Sequence, residues 1–426
     1  MKTVFPFLLT LVVAFTCSVS SLLSAEDWLQ WRGADRANRS AETGLFGTWG
    51  EDGPPLEWIT EGLGSGYASV SVADGVIYTT GNMESNQSAI AISEKDGTIL
   101  WKQAITDSLP KHGYDGSRTT PTVDGNHLYM VSSDGKIVCL SRENGTVVWS
   151  RDFEEWDGKM MSGWGFSESP LVDGDRVICT PGGEDAMVVA LNKNTGEQIW
   201  ASKFPAGDDD SLKKGAGYSS AVISHGGGVK QYIQLVGQGL FGIRASNGEV
   251  LWRYERIANK TANIPTAIVD GDYVFTSTGY NTGSALLKLS ADGNDNVKAE
   301  EVYWLGAREL QNKHGGVTLV DGYLYCGHGN GNGLPICVEM KTGKIAWGPE
   351  RAKGKGETSL VYADGHIVIR REDGTVMLAT ATPDDFEVIH LFEPEFQQGK
   401  TWAHPVIANG KLYLREQDKL MCYRLK

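Results

Sequence analysis

Three groups of residues in this chain have the types and spacing for chemistry: clustered carboxylates, cysteines and a glycine-rich run. Asp208-Asp209-Asp210 and Asp292-Gly293-Asn294-Asp295-Asn296 offer hard oxygen donors of the kind Ca²⁺ takes. Neither has the ligand order of an EF-hand loop, and both fall between strand-like runs, so they read as solvated acids of outer loops. Gly327-His328-Gly329-Asn330-Gly331-Asn332-Gly333 could cradle a phosphate. Such a cradle needs a helix N-terminus behind it; two strand-like runs flank this one, which makes it a β-turn. No C-x-x-C or C-x-x-C-H occurs, and H-E-x-x-H, G-x-S-x-G and the P-loop are absent. No catalytic residue and no metal ligand is assigned.

The remaining candidates are scattered in sequence: Tyr67, Arg118, Trp164, Glu168, Tyr218, Asn263, Asn312, Lys313, His314, Lys355, Glu357, Trp402 and His404. Each stands at the entrance to a short apolar segment. They form a group only if those segments converge, and a repeat makes them do so. A small residue, a glycine six positions on and a tryptophan four further recur as Ala91-Gly97-Trp101, Cys139-Gly145-Trp149, Ala190-Gly196-Trp200, Gly242-Gly248-Trp252 and Cys337-Gly343-Trp347. Internal repetition at about fifty residues marks a propeller or an array. Asx-Gly turns precede an apolar strand at Asp74, Asp124, Asp173, Asp270, Asp321, Asp364 and Asn409, with Gly226-Gly227-Gly228 as a degenerate copy. Eight turns predict an all-β, eight-bladed propeller of four-stranded antiparallel blades.

In that fold the dispersed residues meet at one mouth of the axis, where charged and aromatic side chains can line a ligand pocket. Polar filling of an axial mouth, without a ligand, is the competing reading. Trp164 is the residue expected to be most exposed there. Trp58 fits the end of a fourth strand with no blade before it, while the strand holding Cys422 lacks a successor. The segment around 56–59 is therefore expected to complete the last blade and remove an open edge. Trp304, after an insertion at 292–301, is read as a further copy of the docking tryptophan.

Residues 1–25 have a basic start, an apolar stretch from Val4 to Phe15 and small residues at Ser24-Ala25, the pattern of a cleaved signal peptide. The expected division is 1–25 signal peptide, 26–55 N-terminal extension and 56–426 propeller, periplasmic or secreted and monomeric. The net charge of −14 disfavours phosphate backbones, so no nucleic-acid partner is expected. No later segment is apolar enough to span a membrane. Lipidation at Cys17 is disfavoured, because Ala14-Phe15-Thr16 is a poor lipobox. Export permits a Cys326–Cys337 disulfide across a hairpin. The competing reading makes Cys139, Cys337 and Cys422 small packing residues in the repeat.

The spacing, cleanest from Ala190 to Trp200, resembles the tryptophan-docking motif of the pyrroloquinoline-quinone (PQQ) propeller repeat superfamily, over residues 56–426. Trp28 to Gly33 and Trp49 resemble the N-terminal extension of exported PQQ-like propellers of planctomycete-type bacteria. The resemblance implies that Trp58, Trp101, Trp149, Trp200, Trp252, Trp304 and Trp347 pack between blades, so they are core rather than binding residues. It also implies two functional branches: quinoprotein alcohol or sugar dehydrogenases using PQQ and Ca²⁺, and cofactor-free scaffolds such as BamB. The first branch carries a vicinal disulfide and long insertions; this chain has no Cys-Cys pair and nearly minimal repeats. The expectation is a cofactor-free scaffold or ligand-binding module that engages an envelope or secreted protein. A PQQ-dependent oxidoreductase is the alternative.

Overall fold

The structure, a computed structural model, describes residues 27–47, 49–50, 52–205, 211–293 and 295–426. The signal-peptide reading, Cys17, Asp208-Asp209-Asp210 and Asn294 lie outside those residues. Among the described residues the strands form eight four-stranded antiparallel sheets. In the third blade they run Leu171–Asp173, Arg176–Cys179, Val188–Asn192 and Gln198–Ser202, from axis to rim. Asp74 and Gly75 at one hairpin have φ of 49° and 76°. Two successive positive φ values are what a tight two-residue hairpin needs, and Asx-Gly supplies them with little strain. Outer strands such as Ile99–Ala104 alternate half-buried with exposed residues, whereas Gln87–Ser93 inside it is almost wholly buried.

The apolar core lies between blades. One cluster joins Tyr78 and Ala91 of the first blade to Leu128 and Met130 of the second. The docking rings are the wedges. A Cβ on Gly97, Gly145 or Gly196 would stand 2.7 Å from Trp58, Trp101 or Trp149, and one on Gly248 would stand 2.5 Å from Trp200. Only glycine admits the ring there. Trp149, Trp200 and Trp347 donate Nε1–H to the carbonyls of Lys193, Ala245 and Thr382, at 2.9, 3.2 and 2.8 Å. Trp252 turns inward instead, to Gln231 Oε1 at 2.6 Å.

The fifth blade corrects the expectation for Trp304. Tyr303 lies over Gly343, and its hydroxyl donates to the Met340 carbonyl at 2.7 Å, as a docking tryptophan would. The β-bulge explains the exchange. In the regular blades the irregularity follows the small-residue/tryptophan pair, as after Ala91↔Trp101. Here it follows Leu286↔Tyr303, so Tyr303 holds the docking position. Trp304 sits under the Arg256 guanidinium, 4.3 Å from its ring centre.

Leu56–Thr60 pairs with Lys419–Arg424 and completes the last blade, with Trp58 opposite Cys422. Cys139 and Cys337 face Trp149 and Trp347 in the same way. The Cys326–Cys337 disulfide does not form. Cys326 pairs with Ile336 while Cys337 pairs with Tyr325, so the two thiols project from opposite faces of the sheet into different clusters.

The N-terminal segment fills the axis. Trp28 pairs through its backbone with Val72, and the Leu29 carbonyl accepts from Val123 N–H at 2.7 Å. Arg36 donates to the carbonyls of Ser169, Pro170 and Ala221, and Arg32 to those of Thr266 and Val317. Asn38 reaches Leu360, and Glu42 accepts from Gly410 N–H at 2.8 Å. These bonds reach all eight blades. The guanidinium forks supply donors to the carbonyls that converge around the axis, and burial lowers Arg32 to about 10 and Arg36 to about 9.

Candidate functional site

Residues entering the innermost strands surround a cavity of about 350 Å³ at one mouth of the axis. Trp31 and Arg32 of the N-terminal segment line it from the axis, so it is a pocket rather than a through-channel. Tyr67, Arg118, Trp164, Tyr218, Lys313, His314, Trp402 and His404 line it as well. The other five residues expected at the mouth do not. Glu168 is buried behind the wall, accepting from Thr180 N and Oγ1 at 2.6 and 2.9 Å. Asn263 donates to the Val236 carbonyl and Asn312 to the Gly327 carbonyl, both at 2.9 Å, so both amides hold backbone. Lys355 is exposed outside the cavity, and Glu357 is buried beside Lys313 at 3.6 Å. Position before an innermost strand sets only the blade; the side-chain direction, which the spacing does not encode, sends these five away.

Sequence reasoning missed Trp31, Arg32, Tyr114, Tyr280, Glu372 and Lys400. Lys400 stands two residues before Trp402 and shared its signal. Trp31 and Arg32 lie outside the repeat, and no periodicity could have placed them.

The wall pairs cations with rings. Arg118 lies 5.5 Å from the Tyr67 ring centre, Lys313 5.2 Å from Tyr280, and Lys400 5.0 Å from Trp402. Tyr67, Tyr114 and His314 surround Trp402 at 4.7, 5.1 and 4.4 Å. Burial, then Lys313, Lys400 and Arg118, push His314 down to about 3. His404 falls to about 3, chiefly through burial. Both rings are therefore neutral. Asn38 Nδ2 at 3.1 Å donates to His404 Nδ1, leaving the proton on Nε2 toward the His314 carbonyl at 3.5 Å.

The family model described as outer membrane protein assembly factor BamB matches residues 85–348. This chain belongs to that family. BamB of Escherichia coli K12 is 20% identical over 77% of this chain and 89% of its own length. BamB of Kangiella koreensis is 30% identical over 32% of each chain. A quinoprotein ethanol dehydrogenase of Pseudomonas putida is 26% identical over 32% of this chain and 22% of its own. The matches to the first curated relatives span 27% and 32% of those proteins. Among solved structures, BamB from Moraxella catarrhalis superposes with a TM-score of 0.58 at 14% identity, covering 87% of this chain and 98% of its own. Quinohemoprotein alcohol dehydrogenase from Comamonas testosteroni superposes at 0.65 and 14% identity, covering 94% and 80%. At such identity the structures establish the fold alone.

The donor set of this BamB-family propeller does not suit the Ca²⁺ that accompanies PQQ in the dehydrogenase branch. Calcium takes six or more converging oxygens. Glu372 is the carboxylate on the cavity lining, and it is engaged by Lys400 at 3.4 Å and by the Glu357 N–H at 3.0 Å. The amides of Asn263 and Asn312 are turned to backbone carbonyls. Among the described residues no cluster of three His, Cys, Asp or Glu has metal-binding geometry. The cavity instead presents hydrogen-bond donors, positive charge and ring faces, which is equipment for holding a ligand in place.

Proposed function

We propose that this chain is a non-catalytic recognition module of the cell envelope, exported to the periplasm or beyond, working as a monomeric scaffold. The observation that carries this reading is the axial cavity. Its base is the chain's own Trp31 and Arg32, and its wall carries Arg118, Lys313 and Lys400 against aromatic rings. Its carboxylate Glu372 is tied to Lys400. A general acid–base pair would need a titrating carboxyl or histidine on the lining, and Glu357, which burial raises to about 7, is packed behind Lys313 and off that lining. Family membership supports the same reading, since relatives are named for outer-membrane protein assembly. No helix among the described residues is long and apolar enough to cross a membrane. Crosslinking in intact envelopes, followed by purification of the chain, tests this: a specific stoichiometric protein partner is expected. Its absence, with the chain correctly exported, overturns the reading.

A PQQ-dependent oxidoreductase acting on an alcohol or sugar is the second reading. It is favoured by an axial cavity that is cationic and aromatic, in a chain similar to quinoprotein ethanol dehydrogenase. Titration with PQQ and Ca²⁺, followed by artificial-dye reduction with alcohols and sugars, separates the two. Stoichiometric chromophore binding with turnover replaces the scaffold reading by the enzyme.

A further inference from the structure

We infer that the axial cavity binds a pyranose sugar bearing an acid group, the chemistry of a uronic acid. The inference rests on reading the mouth as a recognition site. Three features of the wall select this ligand together. The first is hydroxyl density: Tyr67, Tyr114, Tyr218 and Tyr280, with Ser167 and Thr261, line one space, the Tyr218 hydroxyl sharing a hydrogen bond with Ser162 at 2.6 Å. Groups that both donate and accept suit a polyhydroxylated ring. The second is the indole of Trp402. Its ring forms part of the wall within an aromatic cluster with Tyr67, Tyr114 and His314, and its buried Nε1–H has no hydrogen-bond partner. Electron-rich rings on the wall, Trp164 and Tyr280 among them, take the C–H face of a sugar.

The third feature is charge. Lys313 and Lys400 have carboxylate partners in Glu357 and Glu372. Arg118 does not: it donates to the carbonyls of Gly113, Tyr114 and Gly116 and to His112 Nδ1. Its half-buried guanidinium thus makes no ion-pair contact among the described residues, although the Asp115 carboxylate acts on it at longer range, in a chain of net charge −14. A ligand carboxylate is drawn by that charge and by the remaining Nε–H. About 350 Å³ accommodates a small ring ligand with its chain continuing into solvent.

Calorimetric titration of the full mature chain with galacturonate and glucuronate oligosaccharides, and with their uncharged sugar counterparts, tests the inference. Saturable binding of the acidic oligosaccharide, at least tenfold tighter than the neutral one and weakening with salt, is expected. Arg118→Gln should erase most of that preference. Because Arg118 also holds its loop, the exposed Lys400→Met provides a second variant, expected to weaken acidic-sugar binding several-fold with an unchanged circular dichroism spectrum. Equal affinity for neutral and acidic sugars overturns the inference, as does binding of a Glu-rich peptide or PQQ but of no sugar. A chain that captures a protein partner but ignores uronates loses this inference alone. One that binds uronates but captures no partner loses only the scaffold assignment.

Discussion

The tryptophans that stand out in the sequence do structural work, and the residues that meet a ligand are inconspicuous beside them. Trp149 and Trp200 each fill a gap against the glycine of the next blade and satisfy a carbonyl there. Replacing either by alanine should cost about 3–5 kcal/mol, measured by denaturant unfolding, because a cavity remains and the carbonyl loses its donor. Tyr303→Phe should cost only about 1 kcal/mol, the hydrogen bond to Met340 without the packing. Glu168 gives a sharper test through pH. Burial raises its carboxyl to about 8 despite the Thr180 hydrogen bonds and Arg36. An acid with a raised folded pKa favours folding while protonated in both states, below about 4.5. That contribution then declines as pH rises toward 8, since only the unfolded chain ionises freely. Glu168→Gln should therefore gain stability relative to the parent between pH 5 and pH 8. Parallel pH–stability curves for the two proteins would show that Glu168 does not titrate in this way.

At the level of elements, closure of the ring depends on Leu56–Thr60, which provides the outer strand for the last three strands of the chain. Deleting residues 52–60 should expose the Lys419–Arg424 edge, and light scattering on warming should show earlier aggregation than in the parent. The eight blades and this closure were legible because each blade solves the same packing problem. A ring against a glycine imposes a fixed spacing that survives changes elsewhere, as at Ala190, Gly196 and Trp200. Where the local solution differed, the signal failed. Trp304 has the right residue type, but a bulge after Leu286↔Tyr303 hands its place to Tyr303. His390 takes the equivalent position before the bulge of the seventh blade and packs on Trp49, 5.4 Å between ring centres. Bulge position is a property of pairing register and leaves little trace in one strand's sequence. The site was legible to the extent that chain position determines proximity. Tyr67, Arg118 and Trp402 meet because every innermost strand begins at the same mouth, while Glu168 and Asn312 turn away to bond Thr180 and the Gly327 carbonyl.

For the whole molecule, the decisive contacts belong to a segment outside the repeat. Eight innermost strands meeting around an axis leave carbonyls converging on it, and unpaired buried carbonyls are costly. Arg32 and Arg36, 1% and 3% exposed, supply donors from the axis itself. The same segment presents Trp31 to the cavity, where it packs 4.5 Å from His404. Stability and site shape are therefore coupled through one stretch of backbone. Arg36→Met removes donors from three carbonyls while keeping most of the side-chain volume. With hydrogen bonds to charged groups each contributing about 1.5–3 kcal/mol, a loss of at least 3 kcal/mol is expected. Arg39→Ala, which loses a surface ion pair to Asp35 and a single partly buried hydrogen bond to the Leu319 carbonyl at 3.2 Å, should cost less, about 1–2 kcal/mol. Hydrogen exchange distinguishes a plug from an ornament. In Arg36→Met, amides of the third and fourth blades near Leu171 and Val222 should exchange faster, while those of the first blade near Ser71 should change less. Uniform acceleration in all blades would instead mean that the ring unfolds as one unit and that the segment stabilises it only globally.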